Sequence, residues 1–143
     1  MSIILTQTDT TVGFLSQDAQ KLYEIKSRET SKAFIKVYQN FKTFLNDGNR
    51  VPLSQRVLVR RSKKTTFIIK NKAFRVAPLK QDSQLLRTTP WFYSTSANES
   101  TKSFNRDFCE EKADIIIENK FELKENCSSN LIKINNIKRE KLR

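Results

Sequence analysis

The chain has 143 residues, of which 37% are apolar, and its 27 lysines and arginines outnumber 15 aspartates and glutamates, giving a formal net charge of +12. This length fits one domain, and a domain of this size buries roughly 70% of its extended-chain surface without needing disulfides or metals. The chain has no histidine, which excludes Ser-His-Asp and Cys-His catalysis and the commonest zinc sites. With two glycines it cannot contain a Walker A loop or a GxGxxG fingerprint.

The excess of positive charge has two interpretations that charge alone does not separate. It attracts polyanions such as nucleotides and RNA, or it serves solubility. An enzyme of this composition has to work by holding reactants in place and neutralising charge, which is what phosphoryl and nucleotidyl transfer require.

Neither membrane attachment nor export is expected from the sequence. No apolar run approaches the roughly 20 residues that cross a bilayer, and the N-terminal segment has no basic leader or small-residue cleavage site. Cys109 and Cys127 lack CxxC or CxxH spacing and are typical of reduced thiols. We therefore expect a cytoplasmic protein with no membrane partner and no metal ligands of its own.

The first half of the chain predicts strands and short helices in alternation. A buried strand at 3–5 runs into a hydroxyl-rich turn at 6–11 that Gly13 closes. A helix follows from 17 to about 27, with Ser16 as its N-cap. The next predicted elements are a strand at 33–38, a helix at 41–45 that ends at Asp47-Gly48, and a helix from Pro52 to about Arg60.

The second half predicts a hairpin and a mixture of further strands and helices. Strands at 65–69 and 73–77 flank a polar turn whose sequence is not a strong type I′ signal. The later elements are a helix at 81–86, a strand at 91–94, a helix at 104–112, a buried strand at 114–117, a late edge strand at 131–134 and a basic tail at 138–143. This order predicts an α/β fold, with a mixed sheet and helices packed on it, in a single domain over residues 1–143.

Two polar clusters flank the predicted first helix. Thr8-Asp9-Thr10 offers hydroxyls before Gly13, which allows close backbone approach to a ligand, although the same residues suit an Asx or Ser/Thr turn. Lys26-Ser27-Arg28, followed by Lys32, can clamp a phosphate, or it can complement the dipole at a helix C-terminus.

Two further features lie in the second half. Ser94-Thr95-Ser96-Ala97-Asn98 follows an aromatic strand and suits either a phosphate- and sugar-binding loop or an ordinary turn. Arg75 is expected on the opposite side of its strand from Phe74 and Val76, where it reaches water or meets an anion.

Taken in order, these motifs resemble the YrdC family of threonylcarbamoyl-adenylate synthases. The family's Pro-Thr-Asp-Thr-Val-Tyr-Gly-Leu corresponds to Gln7-Thr8-Asp9-Thr10-Thr11-Val12-Gly13-Phe14, so a glutamine and a valine replace its proline and tyrosine. The other matches are Lys26-Ser27-Arg28 with Lys32-Ala33 for Lys-x-Arg-x-x-x-Lys-Pro, Phe74-Arg75-Val76-Ala77-Pro78 for Val-x-Arg-x-Pro, Ser96-Ala97-Asn98 for Ser-Ala-Asn, and more weakly Cys127-Ser128-Ser129-Asn130 for a late Ser-Thr strand.

The resemblance implies a twisted mixed sheet with a basic concave groove, and a nucleotidyltransferase that makes threonylcarbamoyl-AMP from L-threonine, bicarbonate and ATP, with Mg²⁺ carried by the ATP. A partner transferase would then modify the tRNA adenosine next to the anticodon. Carried over residue by residue, the implied roles are catalysis for Lys26 and Arg28, threonine binding for Thr8, Thr10 and Arg75, and nucleotide binding for Lys26, Arg28, Lys32, Ser94, Ser96 and Asn98.

Two alternatives stay open. The chain is shorter than is usual for the family and lacks its Pro-Gly-Pro-x-Thr segment, so it could be a non-catalytic, ribosome-associated protein or one that binds tRNA or double-stranded RNA. A relative that uses another acceptor for a carbamoyl-adenylate is the second alternative. The hydroxyl groups of Thr8 and Thr10 favour the synthase, because a pure RNA binder does not need them.

Overall fold

The structure is a computed structural model that describes residues 2–8, 11–26, 34–76, 89–98, 102–117, 123, 127 and 129–143. Over these residues the chain forms nine strands and four α-helices. The strands are β1 Ile4–Gln7, β2 Val12–Ser16, β3 Ile35–Tyr38, β4 Thr65–Ile69, β5 Lys72–Val76, β6 Trp91–Ser96, β7 Ile115–Ile117, β8 Asn130–Ile134 and β9 Arg139–Lys141. The helices are α1 Ala19–Lys26, α2 Phe41–Asn46, α3 Arg56–Arg61, which a 3-10 turn Leu53–Gln55 precedes, and α4 Arg106–Lys112.

The contacts divide the chain into two units, each assembled from two separate stretches of sequence. The first unit comprises Met1–Phe34 and Phe92–Cys127, and the second comprises Ile35–Trp91 and Ser128–Arg143. Each unit has its own apolar core. The apolar side chains of its strands are therefore buried within the same unit.

In the first unit, β1 and β2 form an antiparallel hairpin that pairs Leu5 with Phe14. The outer edge of β1 pairs in parallel with β7, and β2 pairs antiparallel with β6, which gives the strand order β7-β1-β2-β6. All five residues of β2 are buried, and Leu22 of α1 and Cys109 of α4 belong to the same core.

The second unit has the strand order β3-β5-β4-β8-β9. Parallel pairing joins β3 to β5 and β4 to β8, whereas β4–β5 and β8–β9 are antiparallel. Its core contains a run of packed aromatic rings in which Phe44 stacks on Phe74 with centroids 4.3 Å apart. Both units thus combine mixed pairing with packed helices, which confirms the predicted α/β class.

Three predictions for the first unit were wrong in detail. β1 continues to Gln7 and Gly13 lies inside β2, so the turn is shorter than predicted and Gly13 does not close it. The N-cap of α1 is Asp18, whose Oδ1 accepts from the backbone N–H groups of Gln20 and Lys21, because β2 extends through Ser16. The predicted buried strand at 114–117 is instead β7, which pairs only with β1 among the described strands and leaves Ile115 and Ile116 exposed.

In the second unit the hairpin and α2 are confirmed, but two other predictions were wrong. β8 is not an edge strand, because it lies between β4 and β9. The predicted basic tail forms β9, whose charged and exposed side chains are typical of an edge strand. The helix predicted at 81–86 lies outside the described residues. The basic groove and the single domain stay predictions. Among the described helices, none has the length and apolar character needed to cross a membrane.

Candidate functional site

Lys26 ends α1, and its side chain reaches the segment that follows β6, about seventy residues further along the chain. Its ammonium donates to the backbone oxygens of Ser96, at 3.0 Å, and Asn98, at 2.9 Å. It also donates to the side-chain oxygens of the same two residues, with 2.5 Å to Asn98 Oδ1 and 3.5 Å to Ser96 Oγ. We call Lys26, Ser96 and Asn98 the Lys26 cluster.

The loop that holds this ammonium is fixed by its own hydrogen bonds. The Ala97 N–H donates to the Val12 carbonyl at 2.9 Å, which anchors the loop to β2. Ser96 Oγ donates to Asn98 Oδ1 at 2.7 Å, and the Asn98 amide donates to the Lys102 carbonyl. The acceptor oxygens are therefore held in position in the folded protein before any ligand arrives.

The cluster combines a buried cation with groups at the surface. Lys26 is 5% exposed, whereas Asn98 is half-buried and Ser96 is exposed. The oxygens of Ser96 and Asn98 that accept from the ammonium carry no formal charge, so these hydrogen bonds fix its position without adding negative charge. A cation beside a hydroxyl and an amide is the combination that binds phosphate or carboxylate oxygens.

Gly13 brings β1, β2 and β6 close together next to the cluster. It pairs with Ser96 across the β2–β6 ladder. A Cβ at this position would lie 3.1 Å from the Thr95 carbonyl oxygen, 3.2 Å from Thr8 Cγ2 and 3.9 Å from Ser94 Oγ. The missing side chain therefore lets Thr8 and Ser94, two of the predicted site residues, approach the same point in the first unit.

The Thr8 hydroxyl has a structural role in the β1–β2 turn. Its Oγ1 donates to the Thr11 carbonyl at 2.6 Å, and the Thr8 N–H donates to the same oxygen at 3.3 Å. These two hydrogen bonds tie Thr8 to Thr11 in the β1–β2 turn, which is a structural use of the hydroxyl and differs from the predicted Asx or Ser/Thr turn. Threonine binding by Thr8 stays a prediction.

Arg75 lies in the second unit, as the fourth of the five residues of β5, and pairs with Val37 of β3. Phe74 and Val76 belong to the core of that unit, so Arg75 is on the other side of the strand, as alternation predicts. It is 7% exposed and thus buried. Its role in binding threonine stays a prediction, and the remaining predicted site residues, Thr10, Arg28 and Lys32, lie outside the described part of the chain.

Cys109 is a buried thiol near the Lys26 cluster. Burial raises its pKa above the ordinary value of 9.0. A hydrogen bond with the Asn105 backbone and the positive charge of Lys26 lower the pKa by smaller amounts. A raised pKa favours the protonated thiol near neutral pH. Both cysteines are free, as expected for reduced thiols.

No family model and no curated protein matches this sequence, whereas several solved structures match the fold. P. abyssi Sua5 complexed with L-threonine is similar over 99% of this chain and 50% of the Sua5 chain, with a TM-score of 0.76 and 16% identity. E. coli YciO is similar over 99% of this chain and 82% of its own, with a TM-score of 0.75 and 15% identity. Full-length HypF in its phosphate- and nucleotide-bound form has a TM-score of 0.77 over 99% of this chain and 26% of its own, at 14% identity.

These similarities lie at the level of the fold. The chain spans half the length of the Sua5 chain that it matches. The likeness extends over almost all of the present chain in each case, so it covers both units. The chain therefore has the YrdC-like fold of Sua5 and YciO that its sequence motifs predicted.

Proposed function

We propose that the protein is an L-threonylcarbamoyladenylate synthase. It would form threonylcarbamoyl-AMP from L-threonine, bicarbonate and ATP, release pyrophosphate, and so supply the threonylcarbamoyl group for the tRNA adenosine next to the anticodon. The observation that carries this proposal is the Lys26 cluster, where two distant motifs of the sequence meet at one buried ammonium.

The fold neighbours support the same chemistry. One Sua5 structure is a complex with L-threonine, and the HypF structure holds phosphate and nucleotide. The present cluster contains an ammonium, a hydroxyl and an amide, and no carboxylate. Its positive charge attracts phosphate oxygens, which would replace oxygens of Ser96 and Asn98 as acceptors from Lys26, and Mg²⁺ would arrive on the ATP phosphates.

The reaction needs positioning and charge neutralisation more than acid–base groups. The amine of L-threonine and bicarbonate first give threonine carbamate and water. An oxygen of this carbamate then forms a bond to the α-phosphorus of ATP, the bond from that phosphorus to the bridging oxygen breaks, and pyrophosphate leaves with the electron pair. Negative charge grows on the phosphoryl oxygens during this step, and a fixed cation stabilises it. Lys26 would supply that cation, with Ser96 and Asn98 binding the phosphate and sugar.

Asn98→Asp is the sharpest test of this assignment. The aspartate keeps an oxygen in place to accept from Lys26, and it adds a negative charge beside the ammonium that should repel phosphate. We expect ATP affinity and threonine-dependent pyrophosphate release each to fall at least about tenfold. A tenfold change corresponds to about 1.4 kcal/mol of binding or activation free energy, which one added charge beside the phosphate can supply. ATP binding is measured by calorimetry and pyrophosphate release by a coupled assay.

Three further variants make the result interpretable. Lys42→Ala removes an exposed lysine of α2 and should leave both readouts unchanged. Lys26→Arg keeps the charge, and should retain more ATP affinity than Lys26→Met at matched thermal stability. Full ATP affinity in folded Asn98→Asp would contradict the proposal.

A second candidate function follows from the net charge of +12. In this alternative the protein binds tRNA or double-stranded RNA without catalysis. RNA affinity would then fall steeply as salt rises and would not respond to ATP or threonine. Absence of pyrophosphate release in the wild type, together with such salt-dependent RNA binding, would favour this function over the synthase.

A further inference from the structure

Among its described residues, the second unit exposes four large apolar side chains, of which Leu142 is the least exposed at 48%. Leu53 is 80% exposed, Val57 is 59% exposed and Ile137 is 87% exposed. Leu53 belongs to the 3-10 turn before α3, Val57 to α3, and Ile137 to the β8–β9 turn. Single exposed apolar residues are common on soluble proteins, whereas several exposed apolar residues close together indicate an interaction site.

Hydrogen bonds bring these two segments together. Gln55 Nε2 donates to the Asn135 carbonyl at 3.3 Å, and Arg139 Nε donates to Gln55 Oε1 at 2.6 Å. Ser54 Oγ donates to the Asn136 carbonyl at 3.5 Å. The segment that carries Leu53 and Val57 thus lies directly beside the segment that carries Ile137.

A cavity lies in the same region. It has a volume of about 320 Å³ and is lined by Val57, Leu58, Arg61, Ser62 and Arg139. We call it the α3–β9 groove. Its lining combines two apolar side chains with two arginines and a hydroxyl. A pocket of this kind holds an apolar group and binds an acceptor beside it.

The charge around the groove is strongly positive. Residues 53–64 contain five lysines and arginines and no acidic residue, and residues 130–143 contain five and one glutamate. In the described part of the chain, neither Arg61 nor Arg139 forms an ion pair with a carboxylate. The groove therefore presents arginines that can still take a carboxylate in the bidentate geometry that guanidinium groups favour.

We infer that the α3–β9 groove binds an acidic segment of a partner protein that carries apolar side chains. Carboxylates of this segment pair with Arg61 and Arg139. The apolar side chains of the segment cover Val57, Leu53 and Ile137. Nucleic acid fits less well. A phosphate backbone leaves the apolar side chains uncovered, and the groove lining has no aromatic ring on which a base could stack. This inference does not rest on the proposed synthase activity.

The first experiment selects ligands without assuming a sequence. A random peptide library displayed on phage is panned against the immobilised full chain, with Val57→Ser/Arg61→Gln protein as the competitor in solution. Peptides that combine aspartate or glutamate with leucine, isoleucine or phenylalanine are the expected result. Recovery of no peptide that distinguishes the two proteins would overturn the inference.

The second experiment measures affinity by fluorescence anisotropy with one recovered peptide. Arg61→Gln should weaken binding about tenfold, as loss of a charged hydrogen-bonded pair requires, and Val57→Ser should weaken it severalfold. Arg50→Gln, which removes an exposed arginine elsewhere in the second unit, is the matched control and should change little. All variants are compared at equal thermal stability, since the substituted side chains lie at the surface.

Two outcomes would overturn the inference at this stage. Equal losses in Arg61→Gln and Arg50→Gln would show attraction by net charge alone. A labelled RNA duplex that competes with the peptide and loses affinity in Arg61→Gln but not in Val57→Ser would assign the groove to nucleic acid.

Discussion

Lys26 has both a structural and a chemical role. A buried ammonium is costly unless its donors are satisfied, and the oxygens of Ser96 and Asn98 satisfy them. Removing the ammonium leaves these acceptors without their donor, so Lys26→Met lowers stability as well as ligand affinity. Asn98→Asp changes the charge of the cluster while Lys26 keeps an acceptor, but it also removes the amide donor to the Lys102 carbonyl, so its ATP affinity is compared with the wild type at matched thermal stability.

Gly13 makes the close contact of β1, β2 and β6 possible, and Gly13→Ala should destabilise the first unit. The added Cβ would meet the Thr95 carbonyl at 3.1 Å and Thr8 Cγ2 at 3.2 Å, and the carbonyl belongs to a paired strand that cannot easily move. We expect a loss of about 1–3 kcal/mol in the free energy of unfolding, measured with urea.

Gly48→Ala is the comparison for this prediction. Gly48 has a φ of 84°, and a Cβ added there would meet nothing within 4 Å, so an alanine costs backbone strain of about 1 kcal/mol without crowding. Gly48→Asn should recover part of that loss, because asparagine tolerates the left-handed region, whereas no such rescue applies at Gly13. Unchanged stability in Gly13→Ala would contradict the packing argument.

At the scale of elements, the turn of the β4–β5 hairpin has the backbone geometry of a favoured turn type without the residues that this turn type prefers. Lys70 and Asn71 connect the Ile69–Lys72 pair with φ of 49° and 65°. Two positive φ values in a two-residue loop are the signature of a type I′ turn, for which Asn-Gly is the favoured sequence. Lys70→Asn/Asn71→Gly should therefore raise the free energy of unfolding by about 0.5–1 kcal/mol.

The matched control for the hairpin is Lys72→Asn. It removes the same charge from the neighbouring strand position, where a β conformation is needed, and should be neutral or slightly destabilising. Urea unfolding of both variants checks the prediction. A less stable Asn-Gly variant would mean that the lysine at position 70 contributes more than the turn geometry.

The same scale shows which elements the sequence predicted and why. α2 was predicted closely, because its periodic phenylalanines end at Asp47-Gly48. β2 was missed, since Gly13 and the hydroxyls before it are typical of a turn, whereas the structure uses the glycine for a close strand contact. β9 was missed because its charged side chains have no apolar pattern, and only its pairing with β8 reveals it as a strand.

The candidate site was predicted in part. The order of motifs indicated that Lys26, Ser96 and Asn98 act together, and the structure brings these three side chains into contact. The backbone acceptors that complete the cluster, including the Lys102 carbonyl, have no signature in the side-chain sequence. The α3–β9 groove was also not predicted, because its arginines and apolar residues come from two distant segments that only folding brings together.

At the scale of the whole molecule, the ionisable composition sets the pH range of stability. Without histidine, no side chain with an ordinary pKa titrates between the carboxylates and the thiols. At the acid end, hydrogen bonds from Lys36 and then Tyr38 lower the pKa of Asp47 below its ordinary value of 3.8. The stability from this group is present above 3.8 and is lost as the pH falls through the lower folded-state pKa. With 37% of its side chain exposed, Asp47 contributes at most about 1 kcal/mol.

We therefore expect the free energy of unfolding to be nearly constant from about pH 5 to pH 8. It should then fall at the alkaline end, where Cys109 gives a signal that can be isolated. Burial raises the pKa of this thiol above 9.0, so its contribution is complete below that pH and disappears as the pH rises through the folded-state pKa. Cys109→Ala should lose some stability at every pH, through the smaller side chain, but should decline less than the wild type above pH 9.0. Urea unfolding across the pH range measures the free energy of unfolding of both proteins, with Cys127→Ala as the exposed-thiol control. If the free energies of wild type and Cys109→Ala fall in parallel above pH 9.0, the buried thiol is not responsible for the alkaline decline.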